Sequence, residues 1–206
     1  MPPPPRPYHH GHLQRTLIDA ALAEIEVAGP TALSLREIAR RAGVSHAAPA
    51  HHFGDKAGLF TAIATEGFRL LRESTFPVAT GPDGLLLTGV AYVEFAIRHR
   101  AHFEVMFRPE LYRSDDPELL AAREASFAVL YATARRGAGL GQEQDVTPLA
   151  LAAWSVVHGF AALWLSANLQ DDFGDLQAAI PVLAAGVASL GTVIASQAGV
   201  SRLPGV

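Results

Sequence analysis

His46, His51 and His52 stand close together around Ala47, and the chain's only lysine, Lys56, follows four residues later. Imidazole donates or accepts at its ring nitrogens, and an ammonium holds anions. On one short exposed helix such groups suit the polar edges and methyl groups of DNA bases, with a phosphate held beside them. A second pair, Trp154 and His158, is four apart and therefore shares a helix face with Ala161 and Leu165. Buried Trp and His more often complete a core, but both can also orient a small apolar molecule. Metal chemistry has less behind it. His9, His10 and His12 cluster and His99 lies three before His102, yet no cysteine and no H-E-x-x-H pattern completes a zinc site. No metal and no cofactor is expected. Nucleophile elbows, phosphate loops and paired carboxylates are missing, and Gly137-Ala-Gly-Leu-Gly follows no strand, so no enzyme is expected.

The elements that must position these groups read as helices throughout. Ser34 is placed to cap a short helix with Leu35, Ile38, Ala39 and Ala42 inward. Gly43 then allows a left-handed exit, Val44 fills the corner, and Ser45 caps a second short helix ending near His52. Pro49 would fall four residues into that helix, where it removes the first internal hydrogen bond. Two helices across a tight Gly turn form a helix-turn-helix, which sets its second helix in the major groove. Before it, a helix from about His10 to Ala28 turns Leu13, Leu17, Ala21 and Ile25 to one side and stops at Gly29-Pro30. After it, Asp55 caps a long helix that closes before Pro77. Further helices are expected at about 83–99, 101–107, 118–136, 148–169 and 176–197. The fold class is all-α.

Composition bounds the rest. With no cysteine there are no disulfides, in keeping with a reducing, cytoplasmic setting, and the proline-rich start is not a signal peptide. The net charge of −4 excludes a wholly basic nucleic-acid coat. Residues 1–60 are near neutral, with Arg6, Arg15, Arg36, Arg40, Arg41 and Lys56 set against Asp19, Glu24, Glu26, Glu37 and Asp55. DNA would be met by a local patch. Residues 146–170 and 176–201 carry no acid, Lys or Arg, a length that could span a bilayer. Polar His158, Asn168, Gln177 and Gln197, and Pro181, argue instead for burial between helices. Leu176, Ile180, Leu183, Val187, Leu190 and Ile194 alternate spacings of four and three, the seam of a helix packed on helices.

The run Leu35-Arg36-Glu37-Ile38-Ala39, Ala42-Gly43-Val44-Ser45, His52-Phe53, Lys56 and Leu59 resembles the TetR (tetracycline-repressor-like) family of bacterial regulators. Tyr8-His9-His10-Gly11 and Trp154 with His158-Gly159 are similar to one branch of that family. The family's usual recognition-helix Tyr is Ala50 here, which removes one phosphate contact.

The resemblance implies a ligand-responsive transcriptional regulator, a repressor that binds a palindromic operator as a homodimer. The rival is a helical enzyme or small-molecule carrier whose helix-turn-helix is only structural. Residues 8–55 would form the DNA-binding domain, with the connecting helix from 55. Residues 56–198 would bind ligand and dimerise, through residues 147–197, with 1–7 and 199–206 as flexible tails. DNA would be met by Arg36, Ser45, His46, Ala47, His51, His52 and Lys56, helped by Arg6 on the proline arm. A hydrophobic effector would be lined by Phe95, Phe103, Met106, Phe107, Phe127, Tyr131, Trp154 and His158, with His158 or Tyr131 giving a hydrogen bond. No membrane partner is expected.

Overall fold

The computed structural model describes residues 10–166 and 169–198, with side chains at 12–166, 169, 171–186 and 189. The proline arm with Arg6, the tail from residue 199, and the seam positions Val187, Leu190 and Ile194 lie outside the described side chains. Ten α-helices are described: α1 His10–Ala32, α2 Leu35–Arg41, α3 Ala48–Phe53, α4 Lys56–Thr75, α5 Gly84–Arg98, α6 Arg100–Met106, α7 Pro117–Gly137, α8 Thr147–Ser166, α9 Leu169–Phe173 and α10 Leu176–Ala198. Among the described residues there is no strand, so the all-helical class holds. The chain divides into two compact units. One runs through Gly67 and takes in Arg100–Ala121, and the other comprises Phe68–His99 and the chain from Ala122 onward. α6 and the turn after it thus group with the first unit.

In the first unit, Leu17, Ala21 and Ile25 bury one stripe of α1, and Ile38 and Ala39 bury the inner face of α2. Each large aliphatic residue so buried contributes roughly 1.5–3 kcal/mol against exposure. The regular part of α1 ends at Gly29, which leaves helical geometry at φ 75°, ψ 164° immediately before Pro30. Pro30 biases the residue before it away from the helical region, and only Gly takes this φ without strain. α2 ends as the sequence suggests. The Gly43 N–H donates to Arg40 O and the Val44 N–H to Ala39 O, with Gly43 at φ 66°. That is the paired termination in which a left-handed Gly satisfies the last carbonyls.

One expectation is corrected at the start of α3. Its cap is Ala47, and residues 46–47 form a turn in which the Ala48 N–H donates to Ser45 O. Pro49 therefore sits in the first helical turn, where its missing N–H would have had no partner. The penalty expected from a cap at Ser45 does not arise. α4 begins as expected, with Asp55 Oδ1 accepting the Gly58 N–H at 2.9 Å.

In the second unit α5, α8 and α10 pack on one another. α8 buries Leu149, Ala150, Ala153, Val157, Ala161 and Trp164, spaced to fall along one side. Gly89 of α5 makes the crossing possible, since a Cβ there would lie 3.0 Å from Val157 Cγ1. α8 is also long and apolar enough to cross a membrane, with a third of that stretch buried. α8 is described through Ser166 and helix is described again from Leu169.

Candidate nucleic-acid interface and ligand site

The helix-turn-helix places most of its proposed contacts outward. Arg36, Ser45, His46, Ala47 and His51 are exposed, His52 is partly covered, and Phe53 and Ala48 anchor α3 beneath them. The His51 and His52 rings meet edge to face at 5.6 Å, which fixes the spread of the two imidazoles. Other cations nearby are engaged: Arg40 with Glu37 at 2.9 Å, Arg41 with Glu24 at 2.8 Å, and Arg113 with Asp55 at 3.0 Å. Among the described residues Arg36 makes no such pair. Lys56 is the first residue of α4, and its Nζ donates to Thr31 O at 3.1 Å while lying 5.6 Å over the Phe60 ring. The ammonium thus closes the end of the α1 segment, using one of its three donors. The Gly58 position is equally constrained, because a Cβ there would overlap the Phe53 carbonyl oxygen.

Behind this surface lies a polar network that the sequence does not announce. Arg15 of α1 bridges Asp19 and both Glu66 oxygens, the latter at 2.8 Å. Glu66 Oε1 also lies 3.1 Å from Nε2 of the buried His102 on α6. The bond from His102, reinforced by Arg15, holds the Glu66 carboxyl down at about 2. His102 is therefore a structural partner of Glu66, while the His99 ring meets Phe95 at a tilt, 5.2 Å between centroids. Among the described residues no three His, Cys, Asp or Glu side chains gather as a metal site would require.

The second unit brings together part of the proposed ligand set. Trp154 meets Phe127 edge to face at 5.3 Å and His158 at 5.5 Å, with Phe68 6.5 Å beyond Phe127. At its centre is Tyr92, absent from the sequence-derived set. Trp154 Nε1 donates to Tyr92 Oη at 3.2 Å, and that oxygen lies 2.7 Å from His158 Nδ1. Burial pushes the Tyr92 hydroxyl up and His158 down, so both stay neutral near pH 7. With His158 neutral, the ring tautomer sets the direction of this bond: Tyr92 Oη donates when the ring proton is on Nε2, and accepts when it is on Nδ1.

The remaining members fall elsewhere. Tyr131 packs with Leu85 and Leu130 against Ala134, Val146, Leu149 and Ala150. Phe95 is fully buried in α5. Phe103 and Met106 belong to α6 and Phe107 follows its end, all in the first unit, where Phe103 and Phe107 pair at 5.4 Å. Met106 packs so close to Gly67 that a Cβ there would lie 2.5 Å from its sulfur. No sequence spacing signals Tyr92, because its partner is 66 positions away.

Residues 17–63 match the family described as "Bacterial regulatory proteins, tetR family", and residues 85–187 match "Tetracyclin repressor-like, C-terminal domain". The chain belongs to the tetR family of bacterial regulatory proteins. Among solved structures it is similar to a protein of unknown function from Rhodococcus sp. RHA1, at 30% identity and TM-score 0.72, covering 91% of this chain and 97% of that one. It is similar too to a bacterial regulatory protein in the tetR family from Rhodococcus RHA1, at 25% identity and TM-score 0.64, covering 85% and 96%. Residues of the HTH-type transcriptional regulator BetI of Cronobacter sakazakii are 43% identical over 61 positions, a match spanning 30% of each protein. The tetR family consists of transcriptional regulators, so the helical-enzyme alternative is set aside. Its DNA-binding helix-turn-helix corresponds here to α2 and α3, inside the matched residues.

Proposed function

We propose that the protein is a repressor that binds a palindromic operator as a homodimer and leaves it when a small, largely hydrophobic molecule binds the C-terminal helices. Functionally, residues 8–55 would carry DNA recognition, and residues 56–198 ligand binding and dimerisation, in the cytoplasm and without a membrane partner. The observation that carries this is the α2–α3 turn closed by Gly43, with His46, Ala47 and His51 outward and Arg36 beside them. His46 and His51 would read base edges, Ala47 a thymine methyl, and Arg36, Ser45, His52 and Lys56 the backbone. The aromatic group around Trp154 and His158 supports a neutral, largely apolar effector. An effector that prefers the dimer whose recognition helices no longer match two grooves would release DNA by differential binding.

The test is selection from a random DNA pool with the purified protein, followed by titration of the winners against salt. An enriched inverted repeat bound with a steep salt dependence is expected. Retention that ignores salt, or a pool that never enriches, would overturn the reading.

A further inference from the structure

Helical threonines in this protein bond their own backbone one turn back. Thr61 donates to Ala57 O, Thr65 to Thr61 O, Thr75 to Leu71 O and Thr133 to Val129 O, all at 2.8–2.9 Å. Among the buried threonines described, Thr88 of α5 is the exception. It is only 6% exposed, yet its Oγ1 has no hydrogen-bond partner. A buried orphan hydroxyl carries a desolvation cost that back-bonding would have removed.

Position shows where that hydroxyl lies. Leu85, Thr88, Gly89 and Tyr92 share one stripe of α5 by their spacing of three and four. Leu85 packs on the cluster holding Leu149 and Ala150, Gly89 abuts Val157, and Tyr92 reaches Trp154 and His158. Thr88 is therefore on the stripe that meets α8, one helical turn, roughly 6 Å of rise, from Tyr92. Tyr92 Oη already accepts from Trp154 and contacts His158. Among the described residues of this unit the buried polar side chains are Tyr92, Thr75, Thr88, Ser126 and Thr133, with no acid, Lys or Arg.

We propose that Thr88 is the hydrogen-bonding anchor of the effector site, and that the effector is an uncharged aromatic compound with a carbonyl oxygen that accepts from the Thr88 hydroxyl. This deepens the reading of the second unit as the ligand-binding part and rests on it. The aromatic ring packs against Trp154 and Phe127, while the oxygen meets Thr88. A carboxylate is rejected, since among the described residues of this unit no buried Lys or Arg compensates the loss of its hydration. A hydrocarbon of the same shape loses the one directed bond.

Three probes separate these terms: acetophenone, its hydrocarbon isostere α-methylstyrene, and benzoate. Each is titrated into the full-length protein without DNA, with tryptophan fluorescence and the melting temperature as readouts. Acetophenone should bind saturably and about three- to tenfold more tightly than α-methylstyrene, the range of one neutral hydrogen bond, and benzoate should not bind at pH 7. Thr88→Val keeps the shape and removes the hydroxyl. It should erase the preference for acetophenone and raise the melting temperature of the ligand-free protein by about 1–4 °C, because an orphan donor is gone. A lowered melting temperature would mean that the hydroxyl is already satisfied structurally and would overturn the proposal. So would equal affinity for the two isosteres in the wild type, binding of benzoate, or no saturable acetophenone binding up to its solubility. No readout involves DNA, so a protein that fails here yet binds its operator overturns the ligand chemistry alone.

Discussion

Glu66 shows how much a single side chain can hold together. Its carboxylate joins Arg15 of α1 and His102 of α6 to α4, and those contacts keep its pKa near 2 against an ordinary 4.5. Because the folded value is depressed, the stabilisation is fully present above about pH 4.5 and is lost as pH falls toward 2. The full shift would overstate it, since the side chain is a quarter exposed and solvent screens the pair. Glu66→Gln should therefore cost about 1–2 kcal/mol at pH 7 and flatten the acid limb of stability between pH 4.5 and 2 in urea unfolding. An unchanged acid limb would assign that limb to other carboxylates. Lys56 poses a sharper choice. Its bond to Thr31 O leaves two N–H donors, so the same ammonium can meet a DNA phosphate. If it does, Lys56→Ala weakens all DNA sequences alike and lowers the salt slope by about one per subunit. A lower melting temperature with the slope intact would leave it a structural clamp. The chain's letters gave Lys56 its place at a helix start, but not the carbonyl it reaches 25 residues earlier.

At the scale of elements, apolar periodicity was enough to locate most helices. α1, α4, α5, α7 and α10 begin and end within a few residues of where their stripes and breakers put them, and α1, α4, α5 and α7 each bury one continuous face. The failures have local causes. α3 starts later than Ser45 suggests because the turn through residues 46–47 supplies its own Ser45–Ala48 bond, leaving the serine hydroxyl unneeded as a cap. Polar clusters were the least legible, since Tyr92 with His158 and Glu66 with His102 join distant segments through side chains whose types alone fit many roles. Geometry on either side of α3 yields a ranking of two glycines, Gly43 in the turn before it and Gly58 in the helix after it. Gly43→Ala strains a left-handed residue with open space around it, costing about 1–2 kcal/mol. Gly58→Ala drives a methyl into the Phe53 carbonyl, so α3 must move relative to α4. Thermal unfolding should therefore find Gly58→Ala the more damaging, and DNA affinity should fall further in it than its lost stability explains. Equal effects would mean that the junction has slack.

For the whole molecule, the proposal turns on a second copy of the chain. The apolar residues left exposed on the C-terminal helices include Leu151 and Leu163 of α8 and Val182 of α10. They lie within residues 147–197, where the dimer contact is expected. A homodimer would explain why helices so poor in charge stay in water with such side chains outward. Two recognition helices in one dimer must enter successive major grooves about one duplex turn apart, ~34–36 Å. Leu163→Glu puts a charge where the partner's helices would pack. It should shift the protein from dimer to monomer in sedimentation at micromolar concentration, and reduce operator affinity to that of a single half-site. Lengthening the operator centre by about half a turn, ~5 base pairs, should have a similar effect on the wild type, since the second helix then faces the wrong side of the duplex. The two perturbations should not add, because each removes the same second contact. A Leu163→Glu protein that remains dimeric would move the interface off this face of α8. A wild type indifferent to the inserted base pairs would mean that each recognition helix binds on its own, and the palindromic part of the proposal would fall.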